Sequence, residues 1–203
     1  LDTFNNPNVE LVDTDGKGLE EISEKGIIFE GKEYEVDCII FATGFEVGTE
    51  YSRRAGYQIH GTDGVTVTKK WENGLATFHG MHSRGFPNSF FFGPAQSGFT
   101  ATYTYSLDEQ SIHLAHILKT AKDKGATRIE ASQEAEDKWI KTIIDKARLT
   151  ADFQENCTPG YYNNEGKINQ TPQNNTYGGG PIEFFKIMEK WRSKGTLEGL
   201  ELS

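Results

Sequence analysis

Glu35-Val36-Asp37-Cys38-Ile39-Ile40-Phe41-Ala42-Thr43-Gly44-Phe45 is the stretch on which the fold turns. From Cys38 to Phe41 it is continuously apolar, and the run stops at a glycine. Such a strand suits burial on both faces, which points to a parallel sheet between helices. In open sheets of that kind, ligands sit beyond the carboxyl ends of the strands. Gly44 would permit close backbone approach there, and Thr43 offers a small hydroxyl. A strand ending in glycine is more often explained by turn geometry alone, so both readings stand at this point, the plain one ahead.

Working outward, the upstream residues predict a β-meander. Val9 and Leu11 alternate with polar residues, and Gly16 and Gly18 punctuate a turn. Gly26-Ile27-Ile28-Phe29 and Lys32-Glu33-Tyr34 flank Glu30-Gly31, a hairpin signal. Downstream, Tyr57–His60 and Val65–Thr68 flank the turn Gly61-Thr62-Asp63-Gly64 and predict a second hairpin. Phe90-Phe91-Phe92-Gly93-Pro94 repeats the first theme, a short apolar strand ended by glycine, with a proline that cannot donate to a ladder.

Helices follow. Ser106-Leu107-Asp108-Glu109 reads as a capping box with Ser106 at the N-cap. Ile112, Ala115, Leu118 and Leu114, Ile117, Ala121 form a broad apolar stripe that Gly125 would end. Ser132 caps a second helix whose face is Ala135, Trp139 and Ile143. Pro181 opens a last helix with Ile182, Phe185 and Met188 on one face and Phe184, Ile187 and Trp191 adjoining. Between them, residues 150 to 180 are rich in Asn, Gly, Pro and Tyr without periodicity, which marks a functional or disordered loop.

Composition narrows the function classes. The chain has 203 residues, enough for one domain or pieces of two. Its net charge is -9 and its basic residues are scattered, which argues against nucleic acid and anionic membrane as partners. Cys38 reads as a core thiol and Cys157 as an exposed one; with no disulfide framework, a reducing, cytoplasmic setting is expected. No apolar run approaches membrane-spanning length. His79 and His82 could share a metal, but no carboxylate or cysteine neighbour completes a ligand set, and no metal site is expected. Gly-x-Ser-x-Gly is absent, and no Gly-x-Gly-x-x-Gly follows a strand, so neither a nucleophile elbow nor a pyrophosphate-binding turn is present. The chain opens at Leu1, mid-pattern, which predicts a piece of a longer protein.

Taken in order, these features resemble the C-terminal region of the Baeyer–Villiger monooxygenases, flavoproteins with two dinucleotide-binding domains. The matching stretches are Glu35–Phe45, Gly64–Trp71, Gly85–Gln96, Asp108-Glu109-Gln110, Ile129–Ala131, Glu134–Trp139, Tyr161–Gly166 and Gly199–Leu202. The Ala42-Thr43-Gly44 end is shared with many flavin enzymes, whereas the combination through residue 202 is specific, and it looks most like the branch acting on larger cyclic or steroid-type ketones. The resemblance implies an α/β, Rossmann-like fold with a β-meander and hairpins followed by helices. Residues 1–45 would end the NADPH-binding domain, 46–150 would belong to the FAD-binding domain, and 151–203 would form a cofactor-covering loop and C-terminal helix.

The same resemblance implies FAD and NADP as cofactors, and a ketone and dioxygen as substrates. Thr43 and Gly44 would close the NADPH domain, and Gly93 and Pro94 would end the last strand of the FAD sheet. The loop from Ala95 to Tyr105 would pass beside the flavin. Thr104 and Tyr105 would then give backbone contacts to it, while Phe99, Thr100 and Ala101 would line the substrate pocket. Tyr161 matches an aromatic position that reaches NADP in the family, often tryptophan there; anchoring of a loose loop explains Tyr161 equally well. No catalytic residue is carried over, because the family's active-site arginine has no matching segment and Arg53, Arg54 and Arg84 lie outside its motif. The chain alone is expected to be inactive without the upstream part of the same protein. Two alternatives stay open: an N- or S-oxygenating flavin monooxygenase, and, for these residues alone, a non-catalytic, self-associating module.

Overall fold

The computed structural model describes residues 2–44, 52, 55–147 and 171–203. The meander forms as expected, with strands β1 (Glu21–Ile22), β2 (Gly26–Phe29) and β3 (Lys32–Glu35) in one antiparallel sheet. Ile27 faces Tyr34 and Ile28 faces Glu33. The register is set by Glu30 and Gly31, both at positive φ (49° and 72°), the backbone a two-residue hairpin turn of matching twist demands.

The stretch after β3 departs from expectation. Residues 38–44 run as coil, and Ile40 and Phe41 are 85% and 68% exposed. Cys38 is an exposed thiol and not a core one. A strand buried on both faces needs neighbours to receive its N–H and C=O groups, and the described residues contain none for this segment. The second hairpin shrinks to one bridge between His60 and Thr66. Beyond it Thr66 accepts a hydrogen bond from the Lys69 amide at 3.2 Å and starts the short helix α1 (Val67–Lys70). Side-chain capping prevails over β propensity there. Phe90–Phe92 also forms no strand, although the Phe91 amide reaches Met81 O at 2.9 Å.

The main core joins helices α2 (Tyr103–Asp123), α3 (Gln133–Lys146) and α4 (Pro181–Ser193) with the antiparallel pair β4 (Ile129–Ala131) and β5 (Leu200–Leu202). Ser132 caps α3 through the Ala135 amide at 3.2 Å, and Pro181 occupies the first turn of α4. Ile117, Ala131, Trp139, Ile143, Phe184, Met188 and Trp191 meet in the interior. On α4 the buried face is Phe184, Phe185, Met188 and Trp191, while Ile182 is exposed.

Helix α2 is turned differently from its apolar pattern. It buries Ser106, Gln110, His113, Ile117 and Ala121, whereas Ile112 and Leu118 are 46% and 44% exposed. Three of the five buried residues are polar: Ser106 and Gln110 bond to the preceding loop, while His113 uses Nε2 and leaves Nδ1 buried without a hydrogen bond. His113 faces His79 at 3.3 Å between ring nitrogens. His79, at φ 57°, stacks on Phe78 with ring centres 3.7 Å apart and is edged by Trp139 and Trp191.

Ion pairs fasten the segment around Arg84 to this core. Glu136 of α3, almost fully buried, accepts Lys70 Nζ at 2.7 Å and the Arg84 amide at 2.5 Å. Burial raises its carboxyl above the ordinary range against the pull of Lys70 and the Arg84 amide. Glu130 accepts the Gly85 amide at 2.8 Å, and the Arg84 side chain reaches Glu201 and the Ala131 carbonyl. Arg84 is therefore committed to holding the fold.

Two outcomes follow for stability. Ile117→Ala should cost about 2–5 kcal/mol in a denaturant titration, and Ile112→Ala about 0.5 kcal/mol or less, because only the first lies under the core. Equal losses would reverse the assignment of the helix face. The second outcome concerns pH. Burial pushes His82 down to about 4 and His113 to about 3 from the usual 6.5, and holds His79 well below that value with help from His113 and His82. The unfolded chain takes up these protons near 6.5, so the folded state is favoured fully above that pH. Stability should then fall as pH drops from 6.5 toward 4, by about 1.4 kcal/mol per unit for each titrating ring. His82→Gln with His113→Gln should flatten that slope between pH 7.5 and 5; an unchanged slope would show that other groups carry it.

Candidate functional site

Gly93, Pro94, Thr104 and Tyr105, four of the residues expected to meet a cofactor, lie on the segment leading into and opening α2. Its first half is locked. Gln110, one turn into the helix stripe, grips Gly93 from both sides: its Nε2 donates to Gly93 O at 2.8 Å and its Oε1 accepts the Gly93 amide at 3.3 Å. Ser97 Oγ donates to the same carbonyl at 2.6 Å. The Tyr177 amide donates to Ser97 O at 3.0 Å. Gly98 lies so close to the Phe184 ring that an added Cβ would stand 2.8 Å from Cδ1. Gln96 is wholly buried and bonds to Thr77, Leu75, Gln173, Asn175 and Trp139.

The second half is open. Phe99 is 47% exposed and Ala101 is exposed, with Phe99 tilted against Tyr103 at 5.8 Å between ring centres. Thr100 is tied down by its amide donating to Ser106 Oγ at 3.2 Å and by its hydroxyl donating to Thr102 O at 2.7 Å. This corrects the capping reading. The helix begins at Tyr103, and Ser106 sits inside its first turn as a buried acceptor for Thr100. The capping residue is Thr102, which makes no side-chain cap bond. The helix N-terminus, with its partial positive charge, therefore opens beside the exposed Thr104 and Tyr105. Tyr105 also leans edge-on against Phe185 at 5.4 Å.

Tyr177 braces this unit from behind. Its ring lies 5.9 Å from Trp139 at 10° between planes, and its hydroxyl donates to Glu183 at 2.7 Å. Lys146 completes the group at 3.0 Å from Glu183. The Tyr177 hydroxyl and Lys146 hold the Glu183 carboxyl below its usual range, while burial and Glu183 push the Tyr177 phenol up.

Gly93, Pro94, Phe99, Thr100, Ala101, Thr104 and Tyr105 thus form one loop-and-helix unit. Thr43 and Gly44 do not join it: both are exposed, and no hydrogen bond links them to the loop among the described residues. Gly93 ends no strand. Tyr161, Arg53 and Arg54 lie outside the described residues. Among the described residues no group of three His, Cys, Asp or Glu side chains could hold a metal ion, and no helix is long and apolar enough to cross a membrane. Gln96, Gln110 and Tyr177 were missed from sequence. Only the i, i+4, i+7 spacing of Ser106, Gln110 and His113 on the line of Ile117 and Ala121 gave a signal for the buried polar stripe.

No family model matches the chain. Individual proteins do. The chain is 47% identical over 205 residues to pentalenolactone D synthase of Streptomyces exfoliatus, covering all of itself and 35% of that protein. It is 42% identical over 204 residues to a Baeyer–Villiger monooxygenase of Stachybotrys chlorohalonatus, covering 33% of it. Among solved structures, the polycyclic ketone monooxygenase from Thermothelomyces thermophila superposes with a TM-score of 0.85 at 35% identity, over 99% of this chain and 33% of that one. OTEMO in complex with FAD and NADP gives 0.71 at 28% identity, over 99% and 36%. The chain spans about a third of the length of the curated relatives it matches. In sequence and in mixed α/β fold, the chain is similar to about a third of Baeyer–Villiger flavin monooxygenases, a likeness consistent with their C-terminal region.

Proposed function

We propose that this chain supplies the flavin-facing loop and one wall of the substrate pocket in an FAD- and NADPH-dependent monooxygenase that inserts oxygen beside a ketone carbonyl, giving an ester or lactone. The observation that carries it is the division of residues 93–105 into a half anchored at Gly93, Gln96 and Ser97, with 96–98 buried, and an exposed half bearing Phe99, Tyr103 and Tyr105 at the head of a 21-residue helix. The names of the relatives, among them a polycyclic ketone monooxygenase, favour a bulky cyclic ketone.

The donor set fits a flavin. Thr102 leaves the start of α2 without a side-chain cap; the Tyr105 amide donates to Thr102 O at 3.0 Å, so the dipole and the Tyr103 and Thr104 amides are what can favour electron density on the pyrimidine edge of the ring. When bound, FAD reduced by NADPH supplies the oxygen-transfer chemistry. The residues of this chain orient and exclude water. Phe99 and Tyr103 present apolar faces to a ketone, and Thr100, tied by its own amide and hydroxyl, keeps the pocket floor in place. On this reading residues 1–45 close the NADPH-binding domain, with Thr43 and Gly44 at its edge, and 46–150 complete the FAD-binding domain. Val36, Ile40 and Phe41, exposed here, then pack against the remainder of the enzyme. The exposed thiol of Cys38 suits a reducing, cytoplasmic setting.

The same exposed residues favour a second reading for the isolated chain, self-association without catalysis.

The test uses the complete enzyme that carries this chain. It should purify yellow, and a bulky cyclic ketone should stimulate NADPH oxidation and yield a product heavier by one oxygen atom, identified as an ester or lactone by mass spectrometry. Oxygenated amines or sulfides with no ester product would support the N- or S-oxygenating alternative instead. The 203 residues alone should purify colourless, because they contain no Gly-x-Gly-x-x-Gly turn; a stoichiometric flavin spectrum would contradict this division of labour.

A further inference from the structure

We infer that Gln96 is the positioning residue that sets where Phe99, Thr100 and Ala101 stand against the cofactor, an inference that rests on reading residues 93–105 as the flavin-facing loop. Gln96 holds φ 55°, a left-handed conformation uncommon for a residue with a side chain. It is 0% exposed. That turn reverses the chain between Pro94 and Gly98, so that the following residues emerge at the surface.

Its side chain explains why the conformation is tolerated. Oε1 accepts the Thr77 hydroxyl. Nε2 donates to Leu75 O at 2.7 Å and to Gln173 O at 2.8 Å. The backbone amide donates to Asn175 O at 2.9 Å, and the backbone carbonyl accepts Trp139 Nε1 at 3.1 Å. Both N–H groups of the side chain and both backbone groups are thus used, and three separate segments are joined to the loop: 75–77, 173–175 and helix α3. Few other side chains can do this. A carboxylate would face two carbonyls without a donor, and asparagine is one methylene short. The loop is bonded at Gly93 by Gln110 and at Ser97 by Tyr177, so Gln96 lies between two fixed points. Loss of its bonds would therefore alter the course of the loop and displace the exposed half, while the core beneath α2 retains its own contacts. Small displacements of groups that orient reactants cost rate far more than they cost binding.

The test compares the complete flavoenzyme with its Gln96→Met and Thr77→Val variants. Gln96→Met keeps volume and removes every side-chain bond; Thr77→Val removes only the hydroxyl that meets Oε1. Expected for Gln96→Met is a drop of roughly tenfold or more in ester formed per NADPH consumed and in kcat for the ketone. Flavin content and KM for NADPH should stay near those of the parent. Hydrogen–deuterium exchange should quicken at residues 96–101 and stay unchanged in α2 beyond Gln110. Thr77→Val should move the same readouts in the same direction by less. Variants with parental coupling and parental exchange would overturn the inference. So would a loss of coupling that only follows loss of flavin and melting temperature in both variants, since Gln96 would then act on stability alone. If the parent enzyme itself holds no flavin or makes no ester, the functional reading fails instead, and the two failures are told apart by that control.

Discussion

An irregular loop can enter a protein interior only if its backbone N–H and C=O groups find partners there. Gly93, Gln96 and Ser97 meet that condition with side-chain and main-chain partners together. Gln110 takes both polar groups of Gly93, Ser97 adds a second donor to its carbonyl, and Gln96 bonds outward to three segments. An unmet buried group costs about 1–3 kcal/mol, which is of the same order as burying one apolar side chain. That requirement explains why α2 turns Gln110 inward, in line with Ser106, which accepts the Thr100 amide, while Ile112 and Leu118 stay outside.

The polar stripe also separates rigid from accessible surface. Gln96 and Ser97 are buried and bonded and Gly98 is packed against Phe184, whereas Phe99, Ala101, Tyr103, Thr104 and Tyr105 face out from the same short stretch. A binding wall made of exposed aromatics needs such a base, because rings on an unanchored loop would lose any fixed geometry toward a ligand. Trp139 and Tyr177 contribute twice: their rings stack within the core, while the indole N–H of one and the main-chain amide of the other bond to the loop.

The N-terminal part follows a different logic. Its meander is set by the positive-φ turn at Glu30 and Gly31, yet the apolar run that follows pairs with no strand among the described residues and lies exposed. Its sequence is that of a central strand, and its present environment is not. On the function proposed above, the remainder of a longer enzyme would bury this run, in keeping with the similarity to about a third of longer flavin monooxygenases and with the exposure of Ile40 and Phe41.

Local chemistry was legible in the sequence. The Glu30-Gly31 turn, the Ser132 cap, the proline that opens α4 and the glycine after α2 each depend on residues a few positions apart, and the family likeness on the linear order of such stretches, so each can be read without knowing what lies opposite. Tertiary structure alone decided which face of α2 is buried, why Ser106 is an acceptor for Thr100 and not a cap, and that Gln96 joins three segments. Those outcomes turn on partners far away in the chain, such as Gln173, 77 residues from Gln96. Periodicity counts apolar residues; it does not see that a polar side chain with a waiting partner is as much at home inside as an isoleucine.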